Sequence, residues 1–82
     1  MTASVVAIDN ENGLAAVLTD EGDHSILRML AAEIAIGDRL EWRGSNPMGS
    51  VIVVNATQGR SIAVIFEDHC VVKSQLGPRL SY

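Results

Sequence analysis

Very few side chains in this sequence have the types and spacing that chemistry requires. At His69 and Cys70 a base adjoins a thiol nucleophile; His24 is the other histidine, and Cys70 is the lone cysteine. Neighbours on a strand point to opposite faces, so His69 and Cys70 do not form a catalytic dyad if a strand runs through them. The ordinary reading of such a thiol is a core or semi-buried side chain. His24 follows the acidic stretch Asp20 to Asp23 and reads as a solvated residue at a strand start. The two histidines and the cysteine lack the spacing of a metal site, and one cysteine excludes a disulfide or a multi-cysteine zinc site within the chain.

The acids fall at turns: Asp9 and Glu11, then Asp20, Glu21 and Asp23, then Glu67 and Asp68. Turn carboxylates ordinarily bond their own backbone rather than serve as acid–base pairs. Gly13, Gly22, Gly44 and Gly49 stand at separate turns, so no phosphate-cradling loop is present. Arg28, Arg39 and Arg43 would form a phosphate-binding patch if the third and fourth strands approached each other. The competing reading is that Arg39 and Arg43 flank Glu41 on one wet strand face. We therefore expect no enzyme, no metal and no cofactor.

The elements that must position these residues follow from composition. The chain has 82 residues, 48% hydrophobic and 20% charged, which allows one small domain with a real core. Nine Val, seven Ile and seven Leu stand against one Trp, one Tyr and one Phe. Such β-branched content favours pleated strands. Ten acids against six bases give a net charge of −4, which opposes electrostatic capture of nucleic acid. The N-terminus has no basic residue and no long apolar run. A cytoplasmic protein without membrane association is expected.

Turn punctuation sets the order. Ser4 to Asp9 is a first strand ending at Asn10-Glu11-Asn12-Gly13, a hairpin turn that tolerates positive φ. Leu14 to Thr19 and His24 to Leu30 follow. Met29 to Ile36 reads as a short helical turn between strands three and four. Arg39 to Arg43 alternates cleanly, with Leu40 and Trp42 turned to the core. Val51 to Val54 and Ile62 to Phe66 are unbroken apolar runs, which predicts cover on both of their faces. The expected fold is all-β, a five- to six-stranded antiparallel barrel of OB type. The single domain divides into a core over 1–57 and an extra strand with tail over 58–82.

The punctuation is similar to that of the cold-shock family over roughly Ser4 to Thr57. The turns at Asp9 to Gly13 and Asp20-Glu21-Gly22 match it, as do Gly37-Asp38-Arg39-Leu40-Glu41-Trp42 and Val53-Val54-Asn55-Ala56. Cold-shock barrels stack single-stranded bases on aromatic side chains. The resemblance places Asn12 to Val17 and Ser25 to Arg28 on the two base-binding motifs. The stacking positions then read Ala7, Leu14, Ala16, Ile26 and Arg28, none of them aromatic. Each stacked base contributes about 1–3 kcal/mol, so this loss removes most of the affinity.

Ala7, Leu14, Ala16 and Ile26 would instead form a flat, mostly aliphatic patch rimmed by Arg28 and Asp9. Such a patch marks a protein-binding or self-association face, unless a strand or the C-terminal segment already covers it. Ile62, Val64, Ile65 and Phe66 supply a strand for oligomer pairing. Two functions follow as expectations. The first is a non-catalytic interaction module that associates with itself or with a protein partner. The second is a weak single-stranded nucleic-acid binder that uses Arg28, Arg39 and Arg43.

Overall fold

The structure is a computed structural model that describes residues 1–30, 34–44 and 46–80. Its strands are β1 (Thr2–Asp9), β2 (Leu14–Thr19), β3 (His24–Met29), β4 (Arg39–Glu41), β5 (Gly49–Asn55) and β6 (Arg60–Val71). A 3-10 turn, Lys73–Gln75, leads into a five-residue helix, α1 (Leu76–Leu80). The strands close into a barrel in the order β1-β2-β3-β6-β5-β4, and every neighbouring pair is antiparallel.

Local chemistry explains the β1–β2 turn. Asp9 Oδ1 accepts from the backbone N–H groups of Glu11 and Asn12 at 3.1 and 3.2 Å, while Asn12 Nδ2 donates to Oδ2 at 2.8 Å. Gly13 completes the turn at φ +69°, a region that costs side-chain-bearing residues about 1–2 kcal/mol. Beyond the turn, alternation sorts the strands into two sets. Ala3, Val5, Ala15, Val17, Leu27, Leu40, Trp42, Val53, Ile62, Val64 and Phe66 fill the barrel. Trp42 and Phe66 meet there with ring centroids 4.9 Å apart. A bulge at Val6 shifts the register between Val5 and Ala7. It turns Ala7 outward, in line with Ala16 and Ile26.

Three sequence expectations change here. The helical turn expected over Met29 to Ile36 is not a helix between β3 and β4: Met29 ends β3, and Ile36 and Gly37 form a turn, with 31–33 outside the described residues. The short helix lies instead at the C-terminal end of the described chain. The core set out for 1–57 extends through Val71, because β6 is a stave hydrogen-bonded to both β3 and β5. The run Val51 to Val54 is not covered on both faces: Val53 is buried, whereas Ile52 is 65% exposed and Val54 43%.

The stretch entering β4 is pinned by Asp38. Its Oδ2 accepts from Asn55 Nδ2 at 2.8 Å, Gln58 Nε2 at 2.7 Å and the Ala35 N–H at 3.0 Å. Asp38 and Asn55 are both buried. The Asn55 bond, with the Ala35 and Gln58 bonds behind it, holds the Asp38 carboxyl below the usual carboxylate range despite its desolvation. A carboxyl whose folded pKa is depressed stabilises the fold above its unfolded pKa of about 4 and loses that contribution as pH falls through the folded value. Asp38→Ala should therefore lower stability by about 2 kcal/mol at neutral pH, because it strands the buried Asn55 amide. Urea unfolding followed by far-ultraviolet circular dichroism measures this, and Asp38→Asn should flatten the acid limb of the stability profile.

Candidate functional site

The outer face of β1, β2 and β3 gathers Ala7, Ala16, Ile26 and Leu14 into one apolar cluster. The chain covers this cluster itself: Val71, Leu76 and Leu80 pack onto it, and all three are buried. Arg79 Nη1 donates to Asp68 Oδ2 at 2.8 Å and ties the helix to β6. This bond is the first cause that lowers the Asp68 pKa, followed by the backbone N–H of His69. Of the two states foreseen for the patch, the structure has the one in which the C-terminal segment lies on it.

The three arginines do not converge. Arg28 on β3 is held by Glu67 through Nε and Nη2, at 2.8 and 3.3 Å, and donates from Nη1 to the Asn12 carbonyl at 3.1 Å. Arg39 on β4 reaches Asp20 at 3.4 Å. β3 and β4 lie on opposite sides of the six-strand ring. Arg43 stands exposed just past β4. The separation follows from closure, since β4 pairs with β1 and β5.

The oligomer strand divides by alternation. Ile62, Val64 and Phe66 point into the barrel and are buried, while Ile65 faces outward and is half-buried. Val64, Ile65 and Phe66 are paired on both edges, with β3 and β5, and Ile62 pairs with Val53 of β5, so the strand is a stave of the barrel rather than a free edge. Outward-facing Ile52 and Val54 on β5 lie in register with Ala63 and Ser61, next to the Ser50–Ile65 pair. Together they make an aliphatic strip on the far side of the barrel from the covered cluster.

One contact was beyond sequence reasoning. His69 lies 44 positions from Ser25, yet its Nδ1 is 2.7 Å from the Ser25 hydroxyl. The Pro47 carbonyl only accepts, so His69 Nε2 donates to it and the Ser25 hydroxyl is the natural donor to Nδ1. The imidazole stacks on Phe66, with centroids 5.1 Å apart at an interplanar angle of 22°. Ser25 is buried, and the pair ties β3 and β6 to the loop at Pro47. A bulge that the sequence does not announce brings them together: Ser25 lies opposite His69 and Cys70, between the pairs His24–Val71 and Ile26–Asp68. Among the described residues, no group of His, Cys, Asp and Glu is placed to hold a metal ion, and no helix is long and apolar enough to cross a membrane.

No protein family, curated protein or solved structure matches this chain, so the cold-shock likeness has no support beyond the barrel itself.

Cys70 is exposed, where a core or semi-buried thiol was expected, and its backbone at the bulge takes φ +55°. Asp23 foremost, then desolvation, and then Glu21 and Asp68 raise its pKa above the usual thiol range. The thiolate is the reactive species, so alkylation by iodoacetamide at pH 8 should run slower than for free cysteine. Asp23→Asn should speed it severalfold, as read by mass spectrometry.

Proposed function

We propose that this chain is a non-catalytic interaction module that pairs with a second copy of itself through the outer face of β5 and β6. The exposure of Ile52 at 65% and Val54 at 43%, on adjoining outward positions of one strand, carries this reading. Closure gives every strand a neighbour on each side and leaves little of the sheet edge through which β proteins often associate, which favours contact through a face. Glu41 lies in register beside Val54, and Arg43 follows it in sequence. A rim carrying both signs suits a two-fold interface, in which each patch meets its own copy.

Size sets the strength. The chain exposes 4449 Å² in all, and a standard interface takes about 800 Å² from each partner. Ile52 and Val54 make only the centre of such a patch, so a weak dimer, of about micromolar affinity or weaker, is the expected product.

The alternative, a weak single-stranded nucleic-acid binder, has less support. Four of the five positions that would stack bases, Ala7, Leu14, Ala16 and Ile26, are aliphatic and belong to the cluster that α1 covers, and two of the three arginines are engaged by acids. The OB and cold-shock likeness stays within this proposal as a likeness of architecture, with which a closed antiparallel barrel is compatible. No cofactor enters the reading.

Size-exclusion chromatography with light scattering should show a mass that rises with concentration over about 10 µM to 1 mM, as a weak interface requires. Ile52→Lys with Val54→Lys should hold the protein monomeric with its circular dichroism unchanged; a wild-type mass fixed at one chain refutes the proposal. A short oligonucleotide at about 50 mM salt, where phosphate contacts are strongest, should leave the amide spectrum unmoved.

A further inference from the structure

The segment that covers the β1–β2–β3 face is poorly made for permanence. Helix α1 has five residues, two of which are Gly77 and Pro78. A helix this short does not sustain itself in water and exists only while docked. Two leucines and one ion pair hold it, and the partners of that pair, Arg79 and Asp68, have side chains 40% and 45% exposed. Exposed pairs of this kind contribute little. The tether from Val72 to Gln75 is exposed throughout.

The cover is also incomplete. Beside α1 lies an open cleft of about 430 Å³ lined by Val6, Leu18, His24, Lys73, Leu76 and Gly77. Val6 and Leu18 remain 39% and 37% exposed there. A longer helix on the same floor would bury them. The floor itself is low, because Ala7 and Ala16 bring the backbone of β1 and β2 close to whatever lies above.

Charge defines the occupant. Asp68 pairs with Arg79, Asp23 adjoins the cleft-lining His24 in sequence, and Asp23, Glu21 and Asp68 all act on Cys70, which precedes Val71 of the cluster. The resident segment from Val72 to Leu80 carries Lys73 and Arg79 and no acid. It is itself a basic amphipathic piece with leucines four residues apart.

We propose that this face is a docking groove for a basic amphipathic helix of a partner protein, and that the segment Val72 to Leu80 holds the groove until such a helix displaces it. The groove lies across the barrel from the β5–β6 strip, so it stands or falls independently of self-association.

The test uses the 82-residue chain and a synthetic peptide of residues 72–80 with Gly77→Ala and Pro78→Ala, which make it a better helix former. On titration, amide resonances around Ala7, Ala16 and Ile26 should shift, and those of the resident Leu76 to Leu80 should move to random-coil positions. Leu76→Ser with Leu80→Ser in the chain should tighten peptide binding about tenfold by removing the competitor. The same peptide with Lys73→Glu and Arg79→Glu should bind at least tenfold more weakly. Hydrogen exchange on the unaltered protein gives a readout that needs no variant: α1 amides should exchange through local opening while the β2 and β3 amides stay protected. The proposal is overturned if α1 exchanges only together with the barrel. It is overturned equally if the peptide leaves the resident segment in place, or if the segment is found traded between two copies of the chain.

Discussion

Three backbone pairs, Thr2–Glu41, Ala3–Leu40 and Ser4–Arg39, close the ring between β1 and β4, and the Asp38 carboxylate holds the chain in the position that lets them form. β4 is only three residues long, and a strand that short does not find its place by pairing alone. Asp38 supplies the missing constraint. Its side chain gathers Ala35, Asn55 and Gln58, its carbonyl accepts from the Val5 N–H at 2.9 Å, and the Gly37 N–H donates to the Val5 carbonyl at 2.8 Å. Asn55 extends the brace, since its Oδ1 accepts from the Gln58 N–H and its carbonyl from the Gly59 N–H. A buried carboxylate with several donors is stable, and the same group with one donor removed is a liability. Closure gives every strand a neighbour on each side, although β4 reaches only Thr2 to Ser4 of β1 and Val54 and Asn55 of β5.

Much of this barrel was legible in the residues. The turns at Asn10 to Gly13 and Asp20 to Asp23 carry their own chemistry, and alternation in Leu40 and Trp42 marks the core directly, so those elements stand where the pattern puts them. The grouping of Ala7, Ala16 and Ile26 was also readable, although Ala7 reaches that face only through the bulge at Val6. The cover was not assignable. Nothing in Gln75-Leu76-Gly77-Pro78-Arg79-Leu80 announces a helix, because its formation depends on the floor it docks against rather than on propensity. The bends in β6 were invisible for a similar reason: His69 and Cys70 read as ordinary alternation, and only the partner strand fixes that both face Ser25.

The two bends in β6 give that strand several duties along its 12 residues. Its first half is a regular stave, with Ile62, Val64 and Phe66 inside the barrel. Past Phe66 the register shifts twice, so that Asp68 turns outward to meet Arg79, His69 turns inward to Ser25, and Val71 joins the outer cluster. A straight strand of the same sequence would not supply a core residue, a staple and an outer anchor within six positions.

Trp42, the single tryptophan, is 6% exposed, lies against Phe66, and among the described residues has no hydrogen-bond partner for its Nε1. An indole in such dry, apolar surroundings emits toward the blue. It belongs to the inner cluster, whereas α1 rests on the outer one, with the strand backbones between them. The protein thus carries a built-in optical gauge of its interior that is blind to the C-terminal segment. Lifting that segment would leave the emission maximum unchanged, and only rupture of the barrel would redden it.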